Sequence, residues 1–265
     1  MNRIDQTFRR LRREGKKGLV TYICAGDPNL AATARLAKEF ARIGVDILEL
    51  GVPFSDPLAD GVVNQLAAQR ALEAGTTPRG VLEMVAKLRA DGLSVPIVLY
   101  VYYNVVHRWG REQFAADAAQ SGVDGVLPLD LPPEEKSEDF GGNSAIHTIR
   151  LIAPTTPEER MAKICRHARG FIYYVSREGV TGMQAKVSDT IAAMTAKIRA
   201  HTQLPIAVGF GISNPEQART VAASAEAIVV GSAIVNQIAE FGKSETLVPS
   251  VTQFVKSLIS AVKTS

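Results

Sequence analysis

Three carboxylates lie close together in the sequence, in positions where they can do chemistry. Glu49 lies in the short apolar run at residues 46–50, which predicts a buried strand, and Asp56 and Asp60 follow on a loop rich in proline and glycine. A buried charge is costly unless it is paired or used, and carboxylates at a strand end and on the adjoining loop can exchange protons with a bound molecule. The segment therefore predicts acid/base chemistry. The alternatives are a Glu49 paired with a neighbouring donor, and aspartates that only stabilise the turn.

Glycine-bearing loops follow the last three strand candidates. The loops after residues 205–208 and 226–230 carry Gly211 and Gly231, and Ser232 begins the next helix. Backbone N–H groups on such loops and at helix starts bind phosphate, whereas the alternative is that the glycines only permit tight turns. Two such loops together favour a phosphate site. The third loop, at 176–182, is a candidate lid.

Tyrosines cluster where two predicted strands end. Tyr100, Tyr102 and Tyr103 lie at the end of the third strand, and Tyr173 and Tyr174 lie on the sixth. Alternation sends Tyr102 and Tyr103 to opposite faces, so one of them can line the mouth of a site. Packing between sheet and helices is an equal alternative. The four histidines are scattered without metal-ligand spacing, so no metal site is predicted.

Short β-branched runs alternate with longer amphipathic stretches from end to end. This alternation implies parallel βαβ units, and eight units in 265 residues predict a closed (β/α)₈ TIM barrel. A doubly wound open sheet is the alternative, but no G-x-G-x-x-G follows the first strand. The strand candidates are residues 19–23, 46–50, 96–101, 124–127, 145–152, 170–175, 205–208 and 226–230.

The two ends of the chain each predict a further helix. Residues 1–17 predict an extra helix before the first strand, and residues 247–263 predict a final one. Within the chain, Thr156 and Asn214 each precede proline and are predicted helix N-caps. No linker or break in composition appears, so residues 1–265 are predicted to form a single (β/α)₈ barrel domain with an extra N-terminal helix.

Composition excludes several classes of protein. The chain is 46% hydrophobic and 22% charged, with a net charge of +3, which fits a globular protein and is too mild to indicate nucleic-acid binding. The basic run at residues 9–17 is predicted to be the solvated face of a helix, with a polyanion or membrane-surface patch as the alternative. No apolar stretch approaches the length of a membrane span, and two cysteines outside any CxxC pattern indicate a reducing compartment. A cytoplasmic location is predicted.

Residues 48–61 closely resemble the signature of the tryptophan synthase α chain family, LELGxPFSDPLADG. Other segments resemble the family in family order, so the resemblance covers nearly the whole chain and implies the same (β/α)₈ barrel. These segments are residues 26–28, 102–104, 130–135, 153–157, 174–182, 209–213 and 231–235.

The resemblance implies a lyase that cleaves indole-3-glycerol phosphate to indole and glyceraldehyde 3-phosphate by a retro-aldol reaction. Glu49 matches the acid/base residue that protonates the indole ring at C3 and takes the glycerol hydroxyl proton. Asp60 matches the carboxylate that holds the indole N–H. No metal or organic cofactor is implied in this chain. The resemblance also implies substrate contacts from Tyr102, Tyr173, Thr181 and Phe210, and phosphate contacts from Gly182, Gly211, Gly231 and Ser232.

A partner is implied as well. Members of the family work with a pyridoxal-phosphate β chain, usually as an α₂β₂ assembly, and pass indole to it for tryptophan biosynthesis. Pro53, Asp56 and Pro57 lie on the segment that faces this partner, so the resemblance makes Asp56 an interface residue rather than a catalyst.

The chain departs from the family pattern at a few positions. Val62 and Val105 stand where proline is common, residues 128–130 read Pro-Leu-Asp instead of Val-Pro-Asp, and the stretch at 136–144 is shortened. These departures are expected to affect loop stiffness and partner contact more than chemistry.

Two other functions fit parts of the sequence. A sugar-phosphate isomerase or aldolase would share the barrel and the phosphate loops, but an aldolase needs a Schiff-base lysine or a metal, and neither is predicted. A non-catalytic subunit that activates a β chain would have no need of both Glu49 and Asp60.

Overall fold

Nine parallel strands in the described part of the chain follow one another around a nearly closed barrel. The structure is a computed structural model that describes residues 1–135, 140, 146–176, 184–209 and 211–264, with the backbone alone for residues 184–188. The strands are β1 (Gly18–Cys24), β2 (Ile47–Gly51), β3 (Ile97–Val101), β4 (Gly125–Pro128), β5 (His147–Thr148), β6 (Arg150–Ile152), β7 (Ile172–Val175), β8 (Ile206–Gly209) and β9 (Ala227–Val230). Neighbouring strands are hydrogen-bonded in the order β5-β4-β3-β2-β1-β9-β8-β7-β6.

The strands β5 and β6 are separated by Ile149 alone and together take the fifth place in an eight-stranded barrel. The strand β5 pairs with β4, and β6 pairs with β7, so the ring of strands passes through this break. Strands of a barrel are tilted and staggered, so one strand can pair its first part with one neighbour and its later part with the other. The (β/α)₈ prediction is confirmed, whereas the prediction of one unbroken strand over 145–152 is wrong at Ile149.

Helices connect the strands and cover the outside of the barrel. The final helix lies where the sequence predicts it, and the extra N-terminal helix occupies residues within the predicted range. The described helices are α1 (Arg3–Glu14), α2 (Leu30–Ile43), α3 (Val62–Glu73), α4 (Pro78–Ala90), α5 (Tyr103–Trp109), α6 (Arg111–Ser121), α7 (Glu158–His167), α8 (Gln184–Arg199), α9 (Pro215–Ala222), α10 (Ser232–Phe241) and α11 (Leu247–Lys263).

One of the two predicted helix caps is confirmed and the other is wrong. The Asn214 side chain accepts a hydrogen bond from Gln217 N at 3.0 Å and begins α9. At α7 the N-cap is Pro157. The hydroxyl of Thr156 instead accepts from Ala153 N at 3.0 Å, so it stabilises the turn before the helix.

Alternation along each strand separates the barrel interior from the layer under the helices. On β2, Ile47 packs inside the barrel, whereas Leu48 and Leu50 pack under the surrounding helices. Glu49 shares the inner face with Ile47, two residues nearer the carboxyl end of the strand. The helix α1 covers the amino-terminal end of the barrel with the buried side chains Ile4, Phe8 and Leu11. The interior is therefore apolar at the amino-terminal end of the barrel, and Glu49 lies nearer the carboxyl end.

Three carboxylates, of which Asp46 and Asp124 are buried, extend the strand pairing at the amino-terminal end of the barrel. Each belongs to the residue just before a strand and accepts a hydrogen bond from a backbone N–H in the neighbouring chain segment. Arg3 and Arg89 also bind the Asp124 carboxylate, at 2.9 and 2.7 Å. The acceptor–donor pairs are Asp46 with Leu19 N (2.9 Å), Asp124 with Ile97 N (2.8 Å) and Glu226 with Ile206 N (2.8 Å).

None of the described helices is long and apolar enough to cross a membrane. The single-domain assignment of residues 1–265 stays a prediction from the sequence.

Candidate active site

Glu49 is a buried carboxyl on the inner face of β2. It is 1% exposed, and neither carboxyl oxygen has a hydrogen-bond partner among the described residues. Burial, and then the charge of Asp60, raises the pKa of Glu49 from 4.5 to about 8. Glu49 is therefore protonated at neutral pH and can act as a general acid.

Asp60 lies on the loop after β2, just before α3, and is held by several donors. The Tyr100 hydroxyl donates to Oδ1 and the Tyr102 hydroxyl to Oδ2, both at 2.8 Å, and Asn64 Nδ2 donates to Oδ1 at 3.3 Å. The loop itself is fixed by a hydrogen bond from Ala59 N to the Tyr102 hydroxyl at 3.0 Å. These contacts fix the orientation of the Asp60 carboxylate.

Both carboxylates line one cavity of about 570 Å³ at the carboxyl ends of the strands. This volume suits a small ligand, and a (β/α)₈ barrel places its active site at this end. Leu129, Leu151 and Tyr173 form an apolar wall. The other lining residues are Tyr22, Ala59, Gly61, Asn64, Tyr100, Ala153, Pro154, Thr155, Val175, Ser176, Gly209, Gly211, Val229, Gly231 and Ser232.

One end of the cavity is suited to an anion. Gly211 lies in the left-handed region with φ of 59°, which favours glycine. Gly231 is the N-cap of α10, and Ser232 is its first residue. The first N–H groups of a helix have no partner within the helix, and the helix dipole favours negative charge there. Three of the four predicted phosphate-binding positions thus line the same cavity as Glu49.

Tyrosine hydroxyls surround the two carboxylates. Burial is the main cause that raises the pKa of Tyr22, Tyr100 and Tyr173 well above the usual range, so all three are neutral donors at neutral pH. Tyr173 fits because Gly209 has no side chain: a Cβ there would lie 2.8 Å from the Tyr173 hydroxyl. Gly51 admits the hydroxyl of Tyr22 in the same way.

The predicted site residues fall in different places. Tyr173 lines the cavity, whereas Tyr102 is 4% exposed, does not line it, and contacts Asp60. Asp56 and Pro57 lie outside the cavity lining; Asp56 is exposed, and the neighbouring Pro53 is buried. Three predicted positions lie outside the described residues: Thr181, Gly182 and Phe210.

Several residues that line the cavity are not among the predicted site residues. They include Tyr22, Asn64 and Leu129. The sequence carries a signal for two of them. Asn64 lies four residues after Asp60, at helical spacing, and Tyr22 lies two residues after the interior residue Val20, at strand spacing.

A metal site is not formed by the residues that the structure describes. Among them, no group of three or more His, Cys, Asp or Glu residues could hold a metal ion.

The fold and the cavity together define a protein of the (β/α)₈ barrel class whose cavity holds two carboxyl groups suited to acid/base chemistry and has one end suited to an anion. The family model of the tryptophan synthase alpha chain matches residues 8–263. The chain belongs to this family. Members of this family are lyases that cleave indole-3-glycerol phosphate. The family, the function and the lyase activity predicted from the sequence are therefore confirmed.

Individual relatives agree over their whole length. The chain is 49% identical over 266 residues to a tryptophan synthase alpha chain of Opitutus terrae, covering 99% of this chain and 100% of the relative. It is 50% identical over 264 residues to that of Geobacter sulfurreducens, covering 99% of both. A crystal structure of the alpha subunit from Legionella pneumophila superposes with a TM-score of 0.91 at 36% identity and covers 100% of both chains.

Proposed function

We propose that Glu49 and Asp60 are the catalytic pair that cleaves indole-3-glycerol phosphate in this chain. The observation that carries the proposal is the contrast between them on one cavity. Glu49 is buried without a hydrogen-bond partner among the described residues and has a pKa of about 8. Asp60 accepts hydrogen bonds from three side chains. Two carboxyl groups whose environments differ in this way can divide acid work from charge stabilisation.

The reaction begins with a proton on Glu49. Glu49 gives this proton to C3 of the indole ring. Positive charge then develops at the ring nitrogen, and Asp60 stabilises it by accepting a hydrogen bond from the ring N–H. The Glu49 carboxylate then takes the proton of the hydroxyl next to the ring. The carbon–carbon bond breaks, its electrons return to the ring, and indole and glyceraldehyde 3-phosphate are released. Glu49 ends as it began, with one proton.

The cavity supports one orientation of the substrate. The apolar wall of Leu129 and Leu151 suits the indole ring, and Gly211, Gly231 and Ser232 suit the phosphate. Tyr173 contacts the part of the substrate between the indole ring and the phosphate. Contacts from Gly182 and Phe210 and a lid contact from Thr181 are further parts of the proposal that come from the sequence.

We propose that this chain needs no metal or organic cofactor, because the protonated indole ring itself accepts the electrons of the broken bond. Its partner is a β chain that carries pyridoxal phosphate, in an α₂β₂ assembly located in the cytoplasm. The segment with Pro53, Asp56 and Pro57 faces this partner. Its neighbours Leu58 and Val62 support the proposal, because they are apolar yet 83% and 69% exposed.

Glu49→Gln tests the proposed catalytic pair. Indole formation from indole-3-glycerol phosphate is measured with the purified chain, with and without a β chain. The variant should lose activity to background because glutamine cannot donate the proton, whereas Glu83→Gln, an exposed change on α4, should keep it. Near-full activity of a folded Glu49→Gln chain would contradict the role of Glu49.

A further inference from the structure

Asn64 is a polar residue of the cavity whose amide nitrogen holds Asp60 and whose amide oxygen the proposed chemistry does not use. It lies in the first turn of α3 and lines the cavity with Glu49 and Asp60. Its Nδ2 donates to Asp60 Oδ1 at 3.3 Å. Its Oδ1 is buried and has no hydrogen-bond partner among the described residues. Asn64 therefore lines the cavity and carries a buried acceptor that no described residue uses.

The contact with Asp60 fixes the orientation of the Asn64 amide. The reverse orientation would place the Asn64 oxygen against the Asp60 carboxylate, and two acceptors cannot share a hydrogen bond. A buried acceptor without a donor is unfavourable. A ligand that brings a donor to Asn64 Oδ1 therefore gains affinity from it.

The donors of the substrate can be assigned one by one. Indole-3-glycerol phosphate has three: the ring N–H, the hydroxyl next to the ring, and the middle hydroxyl of the glycerol chain. Asp60 has about four acceptor positions. Tyr100, Tyr102 and Asn64 occupy three, which leaves one for the ring N–H. Glu49 takes the hydroxyl next to the ring, so the middle hydroxyl is the donor that remains.

We propose that Asn64 is a further substrate-binding residue, whose Oδ1 accepts a hydrogen bond from the middle hydroxyl while its Nδ2 holds Asp60. This inference rests on the proposed function, because the other two donors are assigned from it. In the reverse reaction, in which indole condenses with an aldehyde phosphate, the same contact with Asn64 favours an aldehyde that carries the middle hydroxyl. The chain should prefer an aldehyde phosphate that carries a hydroxyl beside its carbonyl group.

The reverse condensation of indole with an aldehyde phosphate tests this selection. Glyceraldehyde 3-phosphate is compared with 3-oxopropyl phosphate, which lacks only the middle hydroxyl. The ratio of their kcat/KM values is measured for the wild type and for Asn64→Leu, which removes both polar atoms. Gln69→Leu is the matched control, since Gln69 is an exposed residue of the same helix that contacts Glu73.

The wild type should prefer glyceraldehyde 3-phosphate about tenfold, the size expected of one hydrogen bond. Asn64→Leu should show no preference, whereas Gln69→Leu should keep it. Both aldehydes use Asp60, so any loss from the Asp60 contact cancels in the ratio. Asn64→Ser is polar, but its side chain is too short to reach the middle hydroxyl, so it should behave like Asn64→Leu. It replaces Asn64→Leu in the test if that variant does not fold.

Two results would overturn the inference. One is a wild type that does not distinguish the two aldehydes. The other is a ratio that is the same in the wild type and both Asn64 variants, which would limit Asn64 to positioning Asp60. Failure of the proposed function appears elsewhere, as condensation that survives Glu49→Gln with either aldehyde.

Discussion

Replacing Glu49 with glutamine is expected to stabilise the folded chain at alkaline pH. Glu49 is 1% exposed, and its carboxyl oxygens have no hydrogen-bond partner among the described residues. Burial, and then Asp60, raises its pKa from 4.5 to about 8. This change corresponds to about 5 kcal/mol in favour of the protonated carboxyl. Glutamine has nearly the same shape and never carries the charge.

The expected gain depends on pH with a definite sign. Between pH 4.5 and about 8 the folded chain keeps the Glu49 proton, whereas the unfolded chain has released it. The free energy of unfolding therefore falls as the pH rises, by about 1.4 kcal/mol per pH unit. The contribution of the protonated carboxyl is fully present below pH 4.5 and is lost as the pH passes about 8. The variant does not titrate at this position, so its relative stability should grow by up to about 5 kcal/mol over this range.

Urea unfolding from pH 5 to pH 8.5 measures this difference. The wild type and Glu49→Gln are compared at each pH, and Glu83→Gln, an exposed change on α4, gives the baseline for an ordinary glutamate. The gap between wild type and Glu49→Gln should widen steadily with pH, whereas the baseline variant should follow the wild type. A gap that stays constant across the pH range would refute the argument that Glu49 is buried and protonated.

Two further predictions concern the other carboxylates. Asp60→Asn should lower indole formation about 10²–10⁴-fold and move the alkaline fall in rate to lower pH, because the charge of Asp60 helps to raise the pKa of Glu49; a pH–rate profile with an unmoved alkaline fall would contradict this coupling. Asp124→Ala should lower the free energy of unfolding by about 3–5 kcal/mol because it leaves the mostly buried Arg89 without its partner carboxylate. The exposed ion pair between Lys38 and Asp91 is the comparison, since Asp91→Ala should lower the free energy of unfolding by less than about 1 kcal/mol. Equal losses for the two variants in chemical denaturation would show that burial of the ion pair does not matter.

The fold followed from local patterns because each strand and helix carries its own period. The strand predicted at 46–50 is observed at Ile47–Gly51, and the final helix agrees at both ends. The break between β5 and β6 at Ile149 could not be predicted from the local pattern. It arises because β5 and β6 pair with different neighbours, and that stagger depends on residues about 20 positions away on each side.

The candidate site was predictable where it is local in sequence and not where it depends on contacts across the barrel. Glu49 and Asp60 are only eleven residues apart and share one strand–loop unit. A substrate contact from Tyr102 stays a prediction, and the contacts of its hydroxyl with Asp60 and with the loop backbone were not foreseen. Leu129 was expected to affect a loop, yet it lines the cavity. Only the register of neighbouring strands decides such positions.

The fold surrounds the two carboxyl groups of the cavity in opposite ways, and each arrangement depends on the other. Three side-chain donors hold Asp60, so negative charge is stabilised at that end of the cavity. Glu49 receives no donor from the described residues, and burial beside that charge keeps its proton in place. A donor added near Glu49 would stabilise its charged form and weaken it as an acid. The lack of a donor to Glu49 among the described residues thus suits the proposed chemistry, although it costs stability once the carboxyl is charged.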